Sequence, residues 1–230
     1  MTLRVMSTLG IMAALRDRIG PGFEAATGLP LALSFEPTAV ILAGVRGGQR
    51  ADVVVAMDSA VDALIAEGVL LPETRVDVAR TAVGLAKPPG SPAIDISTPE
   101  AFIRALLDTP RLVISEAGAS GIYFRELIER LGVREAIMAK ALVIPKGLTA
   151  EKLLTGEATL AVQQMSELMA VPGIEMVGAF PEPLGTYAPF VAAVFAGCAQ
   201  PGAARDFIAH LLGAEARAAF LATGVEPAGA

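Results

Sequence analysis

Three places in the chain set hydroxyl or small residues directly between an apolar run and an amphipathic run. They are Ser7-Thr8, Pro37-Thr38 and Ser120-Gly121, the last within "SEAGASGIYFRELIERLG" (115–132). The chemistry this spacing offers is that of neutral donors. A helix N-terminus has unpaired N–H groups and a partial positive charge. Hydroxyls add donors without burying a charge, so several such mouths can hold an oxyanion or a carboxylate with no Arg or Lys. Taken singly, each is most simply a helix cap worth ~1 kcal/mol. Their number, and their placement after strands, point to an anion site.

A second stretch, "AVQQMSELMAVPGI", ends a strand at Gln163-Gln164 and opens a helix at Ser166-Glu167. Neighbours in a strand point to opposite faces. One carboxamide can therefore face a cleft and orient a ligand carboxylate while the other is buried or caps. Other chemistries lack their parts. "GASGIYF" has no closing Gly-Lys-Ser/Thr of a phosphate loop. Ile122 stands where a nucleophile elbow requires its second Gly. The single histidine, His210, reads as a partly exposed helix residue, so a Ser-His-Asp hydrolase has no base. One His and one Cys (Cys198) leave no zinc site and no internal disulfide. No metal and no cofactor are expected.

These residues need a frame to position them, and 230 residues suffice for one large domain or two small ones. Hydrophobic residues make up 53 % of the chain and charged residues 18 %, which marks a globular chain. The net charge of −6 and the absence of Trp argue against a nucleic-acid partner. No window approaches the ~20 apolar residues of a membrane span. "MTLRV" shows no basic n-region and no apolar h-region, so the chain as written reads as cytoplasmic, or periplasmic if a leader has been removed. A monomer or homodimer is expected.

Periodicity gives the elements. Strands are expected at Leu3 to Met6, Leu31 to Phe35 and "ADVVVAM", alternating with helices from Ile11 to Thr27, Ala39 to Arg46 and "SAVDALIAEGVL". This is the β-α-β rhythm of a parallel sheet. "RTAVGLAKPPGSPAI" reads as a strand running into a Pro/Gly loop. Then comes a second unit: a helix at 97–110 with Ser97 as N-cap, and strands at "RLVISEA", "AKALVIPKG", "ATLAVQQ" and "IEMVGAF" with helices between them. "TYAPFVAAVFAGCA" returns to the first unit, two helices follow, and "VEPAGA" reads as a loose tail.

Together "VMSTLGIMAALRDRIGPGFEAATG", "GGQRADVVVAMDSAVDALIAEGVL", "RTAVGLAKPPGSP", "SEAGASGIYFRELIERLGV", "LTGEATLAVQQMSEL" and "GVEPA" resemble the type-2 periplasmic binding proteins, in their molybdate-binding-protein-like branch. The resemblance spans nearly the whole chain. It implies an α/β fold of two lobes, 1–81 plus 184–230 and 82–183. Each lobe is a mixed, mostly parallel sheet flanked by helices, and the ligand cleft lies between them. The positions matching the ligand shell are Ser7, Thr8, Thr38, Ser120 and Gly121, with Tyr123 and Gln163 nearby. "SFEPTAV" is bulkier than the Ser-Gly loop of molybdate binders. "QQMSEL", "PGI" and "GVEPA" are closer to a subgroup that includes bacterial aconitate isomerase. The implied function is the binding of a small organic di- or tricarboxylate with a 1,3-proton shift of its double bond. The alternative is a solute-binding protein of an ABC transporter for molybdate-like oxyanions or small carboxylates. A 1,3-proton shift needs an acid/base group and a place for enolate charge. Candidates for the first are Tyr123, Glu167 and Lys146, with Glu116 considered as well, and Arg80 suits a carboxylate clamp.

Overall fold

The computed structural model describes residues 2–229; Met1, on which the expectation about the start of the chain falls, lies outside the described residues. The chain divides into two compact units, Met1–Thr81 with Pro189–Ala230, and Ala82–Ala188.

In the first unit, β1 (Leu3–Ser7) leads into a 3-10 turn (Leu9–Ile11), α1 (Met12–Ala14), a π turn (Leu15–Ile19) and α2 (Gly20–Thr27). One continuous helix was expected here. Pro21 has no N–H for the carbonyl four residues back, and the coil widens into its π turn directly before it. Gly28, at φ 69°, ends α2 in the left-handed conformation that glycine adopts without steric cost. β2 (Leu31–Phe35), α3 (Thr38–Arg46), β3 (Val53–Met57) and α4 (Asp58–Ala66) follow. β1 pairs in parallel with β2 and β3. The β-branched run of β3 is buried on both faces, as befits a central strand of a sheet covered on both sides. Ile41, Val45, Val54, Val61 and Leu64 form the core on one face. On another side Phe23 meets Phe207 edge-on at 5.2 Å.

β4 (Val76–Lys87) carries the chain into the second unit. There α5 (Pro99–Asp108), β5 (Leu112–Ser115), α6 (Ala119–Arg130), α7 (Arg134–Met138), β6 (Ala141–Ile144), α8 (Glu151–Leu154), β7 (Leu160–Gln164), α9 (Met165–Met169) and β8 (Glu175–Ala179) follow in order. β5 lies parallel to both β6 and β7, and β4 runs antiparallel to β7 and β8. The faces of this sheet have separate cores. Leu112, Ile114, Leu160 and Val162 pack with Phe102, Phe124 and Leu127, whereas Val113 and Ala161 pack with Leu153 and Leu168. The cap of α5 is Thr98 rather than the expected Ser97. Thr98 Oγ1 accepts from the Ala101 N–H, and Pro99 takes the first helical position, where its missing N–H costs nothing.

β9 (Tyr187–Val194) returns the chain to the first unit, antiparallel to β3, and α10 (Pro201–Leu211) and α11 (Ala214–Ala222) follow. The tail is not loose. Glu226–Pro227 forms β10, antiparallel to β4 at Ala79 and Arg80. Among the described residues no helix is long and apolar enough to cross a membrane.

Candidate functional site

In the first unit the hydroxyl mouths lie at the carboxyl ends of parallel strands, where open α/β sheets bind ligands. Ser7 closes β1, and its buried Oγ donates to the Thr8 carbonyl (3.1 Å). Thr8 precedes the 3-10 turn but its side chain caps no N–H; its own N–H donates to the Val55 carbonyl on β3 (2.9 Å). Thr38 is the first residue of α3, not its cap, which is Pro37. Its Oγ1 accepts from the Met57 N–H (3.4 Å), tying the α3 mouth to the end of β3. Arg80 is held elsewhere: its Nε donates to Glu226 Oε2 (2.8 Å) across the β4–β10 pair. The guanidinium expected as a ligand clamp thus carries a carboxylate from its own chain.

The second unit builds a denser mouth. β5 ends at Ser115, whose buried Oγ accepts from the Gly118 N–H (3.2 Å). Arg125, on α6, returns to the carbonyls of Ser115 (3.3 Å) and Glu116 (3.0 Å). The Glu116 and Ala117 N–H groups donate to the carbonyls of Ile144 and Pro145, at the end of β6. These bonds fix the loop before α6 from both sides. Gly118 is the cap and Ser120 stands two residues beyond it. The first helical bond is Ile122 N–H to the Gly118 carbonyl, so the N–H groups of Ala119, Ser120 and Gly121 have no partner within the helix. A Cβ on Gly121 would lie 1.9 Å from the Ser115 carbonyl oxygen. Only glycine lets the mouth of α6 rest on the end of β5. Ser120 is 2 % exposed, and its Oγ has no hydrogen-bond partner.

β7 ends beside β5, and its last two residues diverge as neighbours in a strand must. Gln163 is used internally. Its Oε1 accepts from the N–H (2.7 Å) and Oγ1 (2.8 Å) of Thr149, and its Nε2 donates to the Gly147 carbonyl (2.9 Å). The carboxamide expected to meet a ligand therefore braces the turn after β6, which also carries the exposed Lys146. Gln164 caps α9 in a capping-box arrangement with Glu167. The Gln164 N–H donates to Glu167 Oε2 (3.3 Å), while Gln164 Oε1 falls short of hydrogen-bond geometry and has no partner. Ser166, 4 % exposed, is also orphaned at its Oγ. Glu167 is 5 % exposed. Burial raises its carboxyl to about 7, against the opposing effect of hydrogen bonds from the Gln164 N–H and the Gln163 side chain. Tyr123, one turn into α6, donates its hydroxyl to the Leu184 carbonyl (2.9 Å), and the Arg130 guanidinium sits 5.8 Å from its ring centre.

Ser120 and Gly121 thus follow the carboxyl end of β5, and Gln164, Ser166 and Glu167 stand at that of its parallel neighbour β7, with α6 packed on one face of the sheet and α9 on the other. Gln164 and Ser166 were not among the site residues expected from the sequence; the structure adds them as buried groups with an unpartnered polar atom. The signal available was their place directly after a strand, the same that selected Ser120. Among the described residues no group of three His, Cys, Asp or Glu is arranged to hold a metal ion.

A type-2 periplasmic binding protein fold is what this architecture defines, and comparison with known proteins agrees. The chain belongs to the bacterial extracellular solute-binding protein family, whose pattern matches residues 3–226. It is 34 % identical over 232 residues to a Pseudomonas sp. protein named aconitate isomerase, covering 98 % of this chain and 88 % of that one. Among solved structures it is similar to the Azotobacter vinelandii periplasmic molybdate-binding protein (TM-score 0.80, 18 % identity, covering 97 % of this chain and 98 % of that one). It is likewise similar to Peb3 from Campylobacter jejuni (TM-score 0.73, 16 % identity, 97 % and 99 %). At these identities the structural matches speak for the fold alone.

Proposed function

We propose that this chain binds a small organic di- or tricarboxylate and moves a double bond within it by a 1,3-proton shift, as an isomerase of the aconitate type. The observation that carries the reading is the mouth of the second unit. There a buried carboxyl with a pKa of about 7 follows directly on the Ser166 hydroxyl, which has no partner in the protein, and the strand beside it leads to the likewise unpartnered Ser120 hydroxyl. Kinship with a protein named aconitate isomerase supports it. A base that works near neutral pH must hold its proton loosely there, which is the condition burial creates for Glu167.

In the proposed step the Glu167 carboxylate takes a proton from the allylic methylene of the bound acid. The C–H electron pair forms the new double bond, and negative charge spreads onto the conjugated carboxylate. The Ser120 hydroxyl and the α6 N–H groups stabilise that charge as it develops. Glu167, its acquired proton exchanging with solvent, then delivers a proton to the far allylic carbon, so nothing is gained or lost overall. Tyr123 and Lys146 are the other candidates for acid/base work, and Ser7, Thr8, Thr38, Arg80, Gly121 and Gln163 for contact with or support of the ligand. The test is turnover of trans-aconitate by the wild type and by Glu167→Gln across pH 5 to 9. The expected result is a wild-type rate that rises through about pH 7 and a variant that binds but does not turn over. A Glu167→Gln variant with the wild-type rate and pH profile contradicts the assignment.

A second reading is favoured by the family itself, whose description is solute binding. The chain then binds a carboxylate or a molybdate-like oxyanion for an ABC transporter and leaves it unchanged.

A further inference from the structure

The first unit holds a buried polar atom that neither the fold nor the proposed reaction uses. His210, near the end of α10, is the only histidine in the chain, and its Nε2 is buried with no hydrogen-bond partner. The ring stands edge-on to Phe23 of α2 at 5.5 Å. Its Nε2 faces Gly22 on the same helix. A Cβ on Gly22 would have His210 Nε2 at 3.6 Å and Glu215 Oε2, from α11, at 3.7 Å as its nearest neighbours. Side chains of two helices thus converge on one hollow, which the third helix leaves open by carrying no side chain there. The hollow belongs to a cavity of about 340 Å³ lined by Arg18, Ile19, His210, Glu215 and Ala218. Arg18 reaches it from the π turn Leu15–Ile19, a kind of turn that is rare and recurs at functional sites. Neither Arg18 nor Glu215 has a hydrogen-bond or ion-pair partner among the described residues. Helix-end electrostatics accounts for a His late in α10 and a Glu early in α11. It does not account for their turning to one point, or for a buried ring nitrogen left unpaired, which costs free energy until a partner arrives.

We propose that this cavity is a binding site for an α-amino acid with an aliphatic side chain. A neutral imidazole with its proton on Nδ1 offers a lone pair at Nε2, and the Glu215 carboxylate offers others. The ligand ammonium, set in the hollow over Gly22, meets both. The Arg18 guanidinium takes the ligand carboxylate, and Ile19 and Ala218 give the side chain an apolar wall. A simple anion would leave both acceptors unmet and sit beside the Glu215 charge. A simple cation would leave Arg18 without a role. The site lies within the first unit and does not rest on the carboxylate reading above.

With a single histidine in the chain, the imidazole C–H signals in a proton NMR spectrum all belong to this site. The experiment follows them in the full chain at pH 8, above the ordinary histidine pKa of about 6.5, during titration with L-leucine. Parallel titrations use isopentylamine, which lacks the carboxylate, and 4-methylpentanoate, which lacks the ammonium. Expected is a saturable shift with L-leucine and about 10-fold or more weaker binding of each of the other two. Gly22→Ala sets a methyl where the ammonium goes, at ordinary contact distance from its neighbours. Its melting temperature should be unchanged or raised and its response to L-leucine lost. Glu215→Gln, a substitution at an exposed position, should weaken the response about 10-fold. Signals that L-leucine leaves in place overturn the proposal. So does a folded Gly22→Ala or Glu215→Gln chain that responds as the wild type does. A response to isopentylamine as strong as that to L-leucine overturns it too, since the site would then take amines alone.

Discussion

The two units use the same local device and finish it differently. In the first, two of the hydroxyls are committed to the protein: Ser7 donates to the Thr8 carbonyl, and Thr38 accepts from the Met57 N–H. In the second, Ser120 and Ser166 are buried with no partner, and the Glu167 carboxyl, next to Ser166 in the chain, is buried as well. An unpaired buried hydroxyl costs roughly 1–3 kcal/mol, so the first unit's mouth reads as largely self-satisfied and the second's as strained until something binds. Neutral donors and a near-neutral carboxyl are what a proton shift beside a carboxylate needs. On the proposed reading, this difference is what favours the second unit as the place of the chemistry.

The sharpest way to break this comparison is Gly121→Ala. The new Cβ meets the Ser115 carbonyl at 1.9 Å, and backbone on both sides must move. A loss of about 3 kcal/mol or more in denaturant unfolding is expected, because overpacking against backbone cannot be relieved by a rotamer change. A smaller loss would mean that the α6 mouth is less rigid than its hydrogen bonds indicate.

Next is the pH dependence of stability. Glu167 has a pKa near 4.5 unfolded and about 7 folded, so between these values the folded state binds more protons than the unfolded. Its contribution is fully present below about pH 4.5 and is lost as pH rises to 7. Glu167→Gln removes this dependence. Relative to wild type, the variant should gain about 3 kcal/mol between pH 4.5 and 7, measured by urea titration across that range. Parallel curves for the two proteins would contradict the burial of the charge.

Smaller contrasts separate the mouths themselves. Ser120→Ala should weaken ligand binding by about 1–3 kcal/mol with the fold intact. Thr38→Val should lower stability by about 1 kcal/mol through the Met57 N–H it leaves unpaired. Equal effects on binding from both would erase the asymmetry. Smallest is Arg80→Ala. Arg80 and Glu226 are both exposed, and such pairs contribute about 0.2–1 kcal/mol. A large loss of ligand affinity in this variant would restore Arg80 as a clamp despite its partner.

Most of the frame was legible because it is written locally. The apolar runs of β1, β3 and β5, and the small residues after them, announce a strand, a turn and a helix within a dozen residues. The mouths followed from that. What sequence could not give depends on partners far along the chain. Gln163 and Gln164 are adjacent and chemically identical, and only the pairing of β7 with β5 and β4 decides which meets the turn at 147–149. Arg80 suited a ligand carboxylate clamp, and the carboxylate it holds, Glu226, lies 146 residues away where no local pattern shows it. The tail looked loose for the same reason, since two residues of strand have no signal without the β4 edge they join. That Ser120 and Ser166 lack partners is a property of packing, and no pattern of residue types carries it.

The most direct measurement is a proton NMR time course of the purified chain with trans-aconitate in deuterated buffer. The account predicts loss of the vinyl signal with deuterium entering the methylene, and loss of both effects in Glu167→Gln. A spectrum that stays unchanged while the ligand binds would contradict it, and would leave a protein that holds its carboxylate without moving a proton.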